Sequence, residues 1–82
     1  MKLYHCTTPN KLKRYEQTGA ILPPVRGWKW LSSAKEWGRK TQRSLILEIE
    51  TSDLVYPLPD HKPLYHSFWT PDIVRKWKEL PQ

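Results

Sequence analysis

Tyr4-His5-Cys6-Thr7-Thr8 puts an imidazole, a thiol and two hydroxyls on consecutive residues near the start of the chain. Imidazole ordinarily titrates near neutral pH, so His5 is a candidate acid, base or hydrogen-bonding group. Glu48 and Glu50 stand two apart, which places both carboxylates on one face of an extended strand. Such a carboxylate can stabilise positive charge that develops in a transition state. A third group is Arg26-Gly27-Trp28-Lys29-Trp30, followed by Lys35, Trp37, Arg39, Lys40 and Arg43. Cations interleaved with indoles suit phosphate contacts and base stacking. A fourth is Asp60-His61-Lys62 with Tyr65-His66-Ser67, where acid, imidazole and ammonium meet in a loop. Each group also has a plain structural reading. The glutamates would face solvent, His5 would bond a neighbouring carbonyl, and Asp60-His61 would close a turn. His66 would be a buried strand histidine beside Leu64 and Phe68. Trp37 and Trp77 are expected in the core, and Trp28, next to Gly27, is expected to be partly exposed. His5, Cys6, His61 and His66 fit no familiar zinc spacing. The three glycines do not cluster into a phosphate-cradling loop.

These groups need elements to position them. Lys2 to Thr7 reads as a strand, with Leu3, His5 and Thr7 on one face and Tyr4 and Cys6 on the other. Thr8-Pro9 starts a helix as cap and first-turn proline, and Gly19 ends it in the left-handed conformation. Ala20-Ile21-Leu22 is briefly extended, Pro23 to Gly27 reads as a loop, and Lys29 to Ser32 returns as a short strand. Ser33-Ala34-Lys35-Glu36 is a capping box for a helix to about Lys40, which Gly38 weakens. Ser44 to Glu50 is the clearest strand, with Leu45, Leu47 and Ile49 opposite Ile46, Glu48 and Glu50. Leu54 to Tyr56 and Leu64 to Trp69 are further strands around the proline-rich loop 57–63. Thr70-Pro71-Asp72 opens a last helix, with Ile73, Val74, Trp77 and Leu80 as its apolar stripe. The expected class is α+β: a small, mostly antiparallel sheet with about three short helices.

The opening Leu3-Tyr4-His5-Cys6-Thr7, with a short helix and Gly19 after it, resembles the start of the ADP-ribosyltransferase superfamily, which includes the RNA 2′-phosphotransferases. The resemblance covers about the first half of the chain. It implies NAD as cofactor or ligand, with His5 on its ribose and Thr7 helping to hold the nucleotide. It implies a second motif at Trp28-Lys29-Trp30-Leu31-Ser32, stacking on nicotinamide, and a strand glutamate, Glu48 or Glu50, that orients the ribose for transfer.

Composition bounds the rest. The chain has 82 residues and is expected to be one domain, 1–82, with ten aromatic side chains to build its core. A lone cysteine and the lack of a long apolar run point to a reducing cytoplasm and away from membranes. The net charge is +6. It is uneven: residues 1–43 carry ten bases and two acids, whereas 44–82 carry four bases and six acids. A cationic first half attracts phosphate-bearing partners. The leading expectation is a nucleotide- or nucleic-acid-binding protein, which the resemblance extends to a minimal ADP-ribosyltransferase, with His5 and Glu48 catalytic and Thr7, Arg26, Trp28, Lys29 and Trp30 binding. The alternative is a non-catalytic protein that binds single-stranded nucleic acid or a partner chain through exposed tryptophans.

Overall fold

The computed structural model describes residues 1–58 and 66–81. Its elements run β1 (Lys2–Thr7), α1 (Pro9–Thr18), β2 (Val25–Trp28), α2 (Leu31–Thr41), β3 (Leu45–Glu50), β4 (Tyr56–Pro57), β5 (Ser67–Thr70) and β6 (Trp77–Glu79). The six strands form one sheet in the order β4-β5-β2-β1-β3-β6, every pair antiparallel. The fold is therefore α+β, with two helices among the described residues.

β1 lies between β2 and β3, so β2 and β3 run parallel to each other and α2 must cross over β1 to join them. That crossover sets α2 on one face of the sheet. Beneath it Cys6, Trp28, Ala34 and Ile46 are buried, with Tyr4, Leu31, Trp37 and Leu80 around them. The opposite face carries α1 and the larger cluster: Leu3, Leu12, Val25, Leu47, Ile49 and Val74, flanked by Tyr15, Phe68 and Trp77. Leu3, Leu47 and Ile49 are fully buried, and each contributes roughly 1.5–3 kcal/mol. Burial on both faces explains why β3 begins with the unbroken apolar run Leu45-Ile46-Leu47 and alternates only beyond it.

α1 is stopped and started as expected. The Thr8 hydroxyl accepts from the Lys11 N–H at 3.3 Å, Pro9 opens the first turn, and Gly19 closes the helix at φ 71°. α2 departs from expectation. It starts at Leu31, its N-cap is Trp30, and no side chain caps it, so Ser33 and Glu36 lie inside the helix. The sheet decides this: Trp28 pairs with Tyr4 as the last residue of β2, and the chain enters the helix almost at once. Arg26 and Gly27 belong to β2 and not to a loop. A Cβ on Gly27 would come within 2.8 Å of Leu3 Cβ, so its bareness serves close strand approach. Gly38 serves α2 in the same way, since a Cβ there would meet the Arg43 carbonyl oxygen at 2.6 Å.

The third helix does not form. The Thr70 hydroxyl accepts the Asp72 N–H at 3.0 Å, which closes a tight turn. The Asp72 carboxylate caps a different segment, accepting from the Ser52 N–H at 2.9 Å and the Thr51 hydroxyl at 3.2 Å. Val74 then exchanges both main-chain bonds with Ile21. Trp77 and Leu80, three apart, pack on opposite faces of the sheet. The outer edge of β3 needed main-chain partners, and β6 supplies them; this outweighs a helical apolar spacing. The strand expected at Leu54–Tyr56 shrinks to Tyr56–Pro57. Asp60-His61-Lys62 and Tyr65 lie outside the described residues.

Candidate functional site

His5 stands on the α1 face. Its Nδ1 lies 2.6 Å from the Arg26 carbonyl oxygen and its Nε2 3.3 Å from the Tyr15 hydroxyl. A carbonyl only accepts, so Nδ1 carries the proton and Nε2 accepts from Tyr15. Burial lowers the imidazole pKa, the Arg26 carbonyl partly opposes this, and the cations of Lys11 and Arg43 lower it further. His5 is thus a neutral tie between β1, β2 and α1. Thr7, two residues on, shares that face and is fully buried, and its hydroxyl has no hydrogen-bond partner among the described residues.

Glu48 is on the other face. Its register partner is Tyr4, whereas His5 pairs with Leu47. Paired residues point the same way, so the sheet separates the His5 imidazole from the Glu48 carboxylate. Glu48 instead holds the Lys2 ammonium at 3.1 Å. Glu50 lies on the Glu48 face and is exposed. The structure therefore does not bring His5 together with either glutamate.

The basic and aromatic residues are largely engaged with one another. Arg26 Cζ stands 5.6 Å over the Trp37 ring, and Lys29 Nζ 5.1 Å over Phe68. Trp28 is 1 % exposed and packs on Trp37 with ring centroids 5.9 Å apart. The expectation of a partly exposed Trp28 is thus corrected: as a residue of β2 facing α2 it is core. Trp30 is the exposed one, at 53 %, and its ring meets the His66 imidazole edge-on at 5.4 Å. His66 is exposed, with φ 38°, and lies one residue before β5 begins, so it is not the buried strand histidine that alternation suggested. Trp37 and Trp77 are half-buried. The Cys6 thiol is buried, donates to the Ala34 carbonyl at 2.9 Å, and is pushed by burial to a pKa of about 11.

What sequence reasoning missed is a groove of about 770 Å³ between α2 and the β3–β6 edge. Its floor is apolar, made by Leu31, Ile46 and Leu80. Its rim is cationic, made by Lys35, Arg39 and Arg43, with Glu36 as the single acid among the described lining residues. No described acid lies within ion-pairing distance of those three cations. Gly38 also lines it, packed beneath the Arg43 carbonyl. One signal was legible beforehand, since Lys35 and Arg39 stand four residues apart on α2. The groove itself was not, because Leu80 reaches it from the far end of the chain.

Comparison with known protein families, with curated proteins and with solved structures finds no match. The case for this groove therefore rests on its own geometry and charge.

Proposed function

We propose that this protein binds a phosphate-bearing ligand of nucleotide type in the groove between α2 and the β3–β6 edge, and performs no group transfer. One observation carries the reading: three cations with no described acidic partner stand over an apolar floor. The groove volume of about 770 Å³ falls in the range usual for ligand sites, roughly 300–1,000 Å³. Arg39 lies in the last turn of α2, where it also offsets the negative end of the helix dipole. Lys35 lies a full turn earlier, outside the reach of that explanation. The separation of His5 from Glu48 by the sheet supports binding without transfer.

A second reading follows the resemblance to ADP-ribosyltransferases and sets NAD on the α1 face at His5 and Thr7. The unpartnered Thr7 hydroxyl favours it, since a buried hydroxyl seldom lacks a partner. Against it stand the full burial of Thr7 and the two internal bonds of His5.

Calorimetric titration with ADP and with NAD at low salt separates the two. Each lost charge-assisted contact costs about 1.5–3 kcal/mol, roughly ten- to a hundredfold in affinity. The groove reading expects the double variant Lys35→Gln/Arg39→Gln to lose ADP binding and Thr7→Val to keep it. The reverse pattern overturns the groove in favour of the α1 face.

A further inference from the structure

Glu36 limits what the groove can take. Arg43 folds back against the last turn of α2, with its carbonyl oxygen 2.6 Å from where a Cβ on Gly38 would stand. Arg39 belongs to that turn, so two guanidinium-bearing residues meet at this end of the groove. Glu36 lies three residues before Arg39, about 4.5 Å nearer the start of α2 at roughly 1.5 Å per residue. It is half-buried, and no described residue gives its carboxylate a hydrogen bond or an ion pair. A phosphate is drawn to the arginines and repelled by Glu36. The rest of a nucleotide then lies over the apolar floor, with Glu36 left as an unengaged acceptor at its rim.

We infer that Glu36 makes the groove selective for guanine over the other bases; this rests on the groove reading above. An ionised carboxylate accepts hydrogen bonds and donates none. Only guanine sets two donors side by side, its ring N–H and its exocyclic amino group, and a carboxylate takes such a pair with both oxygens. Adenine and cytosine set a bare ring nitrogen next to the amino group. Uracil and thymine flank their ring N–H with two carbonyls. Each of these brings a lone pair against Glu36. Leu31, Ile46 and Leu80 offer aliphatic surface that accepts the flat face of any base, so discrimination falls to the carboxylate. Lys35, Arg39 and Arg43 hold the phosphates whatever the base.

GDP, ADP and inorganic pyrophosphate are titrated calorimetrically into the full chain and into Glu36→Gln, at low salt. Hydrogen bonds to a charged group set the scale, so GDP is expected to bind the parent roughly ten- to a hundredfold tighter than ADP. In Glu36→Gln the side chain presents one acceptor and one donor, a pattern that suits adenine and not guanine. That variant is expected to lose about tenfold or more for GDP and nothing for ADP or pyrophosphate. Gln matches Glu in shape and helix propensity, and circular dichroism checks that the fold is kept. GDP no tighter than ADP in the parent overturns the inference and leaves the groove reading standing. A variant that binds all three ligands more tightly overturns it too, since Glu36 then acts only as a repelling charge. No binding by any of the three overturns both.

Discussion

Gly38→Ala tests how α2 is seated. Glycine in mid-helix ordinarily costs about 1 kcal/mol relative to alanine, so on helix propensity alone the variant would be stabilised by that amount. The structure reverses the sign. An added Cβ would stand 2.6 Å from the Arg43 carbonyl oxygen, where ordinary contact begins near 3.4 Å, and 3.6 Å from Cys6 Sγ. The near atom is backbone, so no rotamer change relieves the clash. The segment after α2 must shift by most of an ångström. That strains the 2.9 Å bond from the Arg43 N–H to the Gly38 carbonyl and the left-handed Gln42 cap. Overpacking of this kind costs about 1–3 kcal/mol, and a lost terminal bond about 1 more. Set against the propensity gain, the net loss is about 1–3 kcal/mol. For a chain this short each kilocalorie lowers Tm by roughly 4–8 °C. Urea denaturation followed by circular dichroism, with a thermal scan beside it, measures the loss. Stability equal to or above that of the parent refutes the claim that Gly38 is kept for close approach.

The other predictions follow from burial and charge. Trp28→Ala is expected to cost about 3–5 kcal/mol as a core truncation, and Trp30→Ala, exposed at 53 %, to stay within about 0.5 kcal/mol; urea midpoints decide, and equal losses refute the assignment. His5 has a folded pKa below its ordinary 6.5, so the unfolded chain binds more protons and stability falls as pH drops through that value. His5→Gln should flatten that part of the urea-midpoint profile, and an unchanged profile refutes the tie. The Cys6 thiol, buried and with a pKa of about 11, should react with a disulfide reagent only as fast as the fold opens. Prompt labelling of the native protein counts against its placement.

Local chemistry was the legible part of the fold. Thr8-Pro9 and Gly19 bounded α1 because both caps act through bonds within a few residues. β1 and β3 announced themselves by composition and by the Leu45-Leu47-Ile49 alternation. The failures all involve distant partners. Thr70-Pro71-Asp72 has the chemistry of a helix start, but Ser52 and Thr51 lie near enough to take the Asp72 carboxylate. Ser33 and Glu36 make a sound capping box on paper, but the end of β2 starts the helix three residues sooner. Gly27 looked like loop punctuation because Leu3, the reason for it, lies 24 positions away. The site shows the same division. The cationic first half and its four-residue spacing could be read directly. Which tryptophan is exposed, and which sheet face each titratable group takes, depends on the order of strands.

The two outermost strands are short. β4 has two residues, one of them proline, and β6 has three, among them a lysine and a glutamate. A sheet bounded in this way offers few free main-chain groups in a row, and charge or a missing N–H interrupts those few. Extension by a foreign strand is therefore poorly supported at either side. Among the described residues, then, neither edge offers a template for the chain-to-chain sheet growth that leads to fibres, and recognition is left to side chains standing above the sheet.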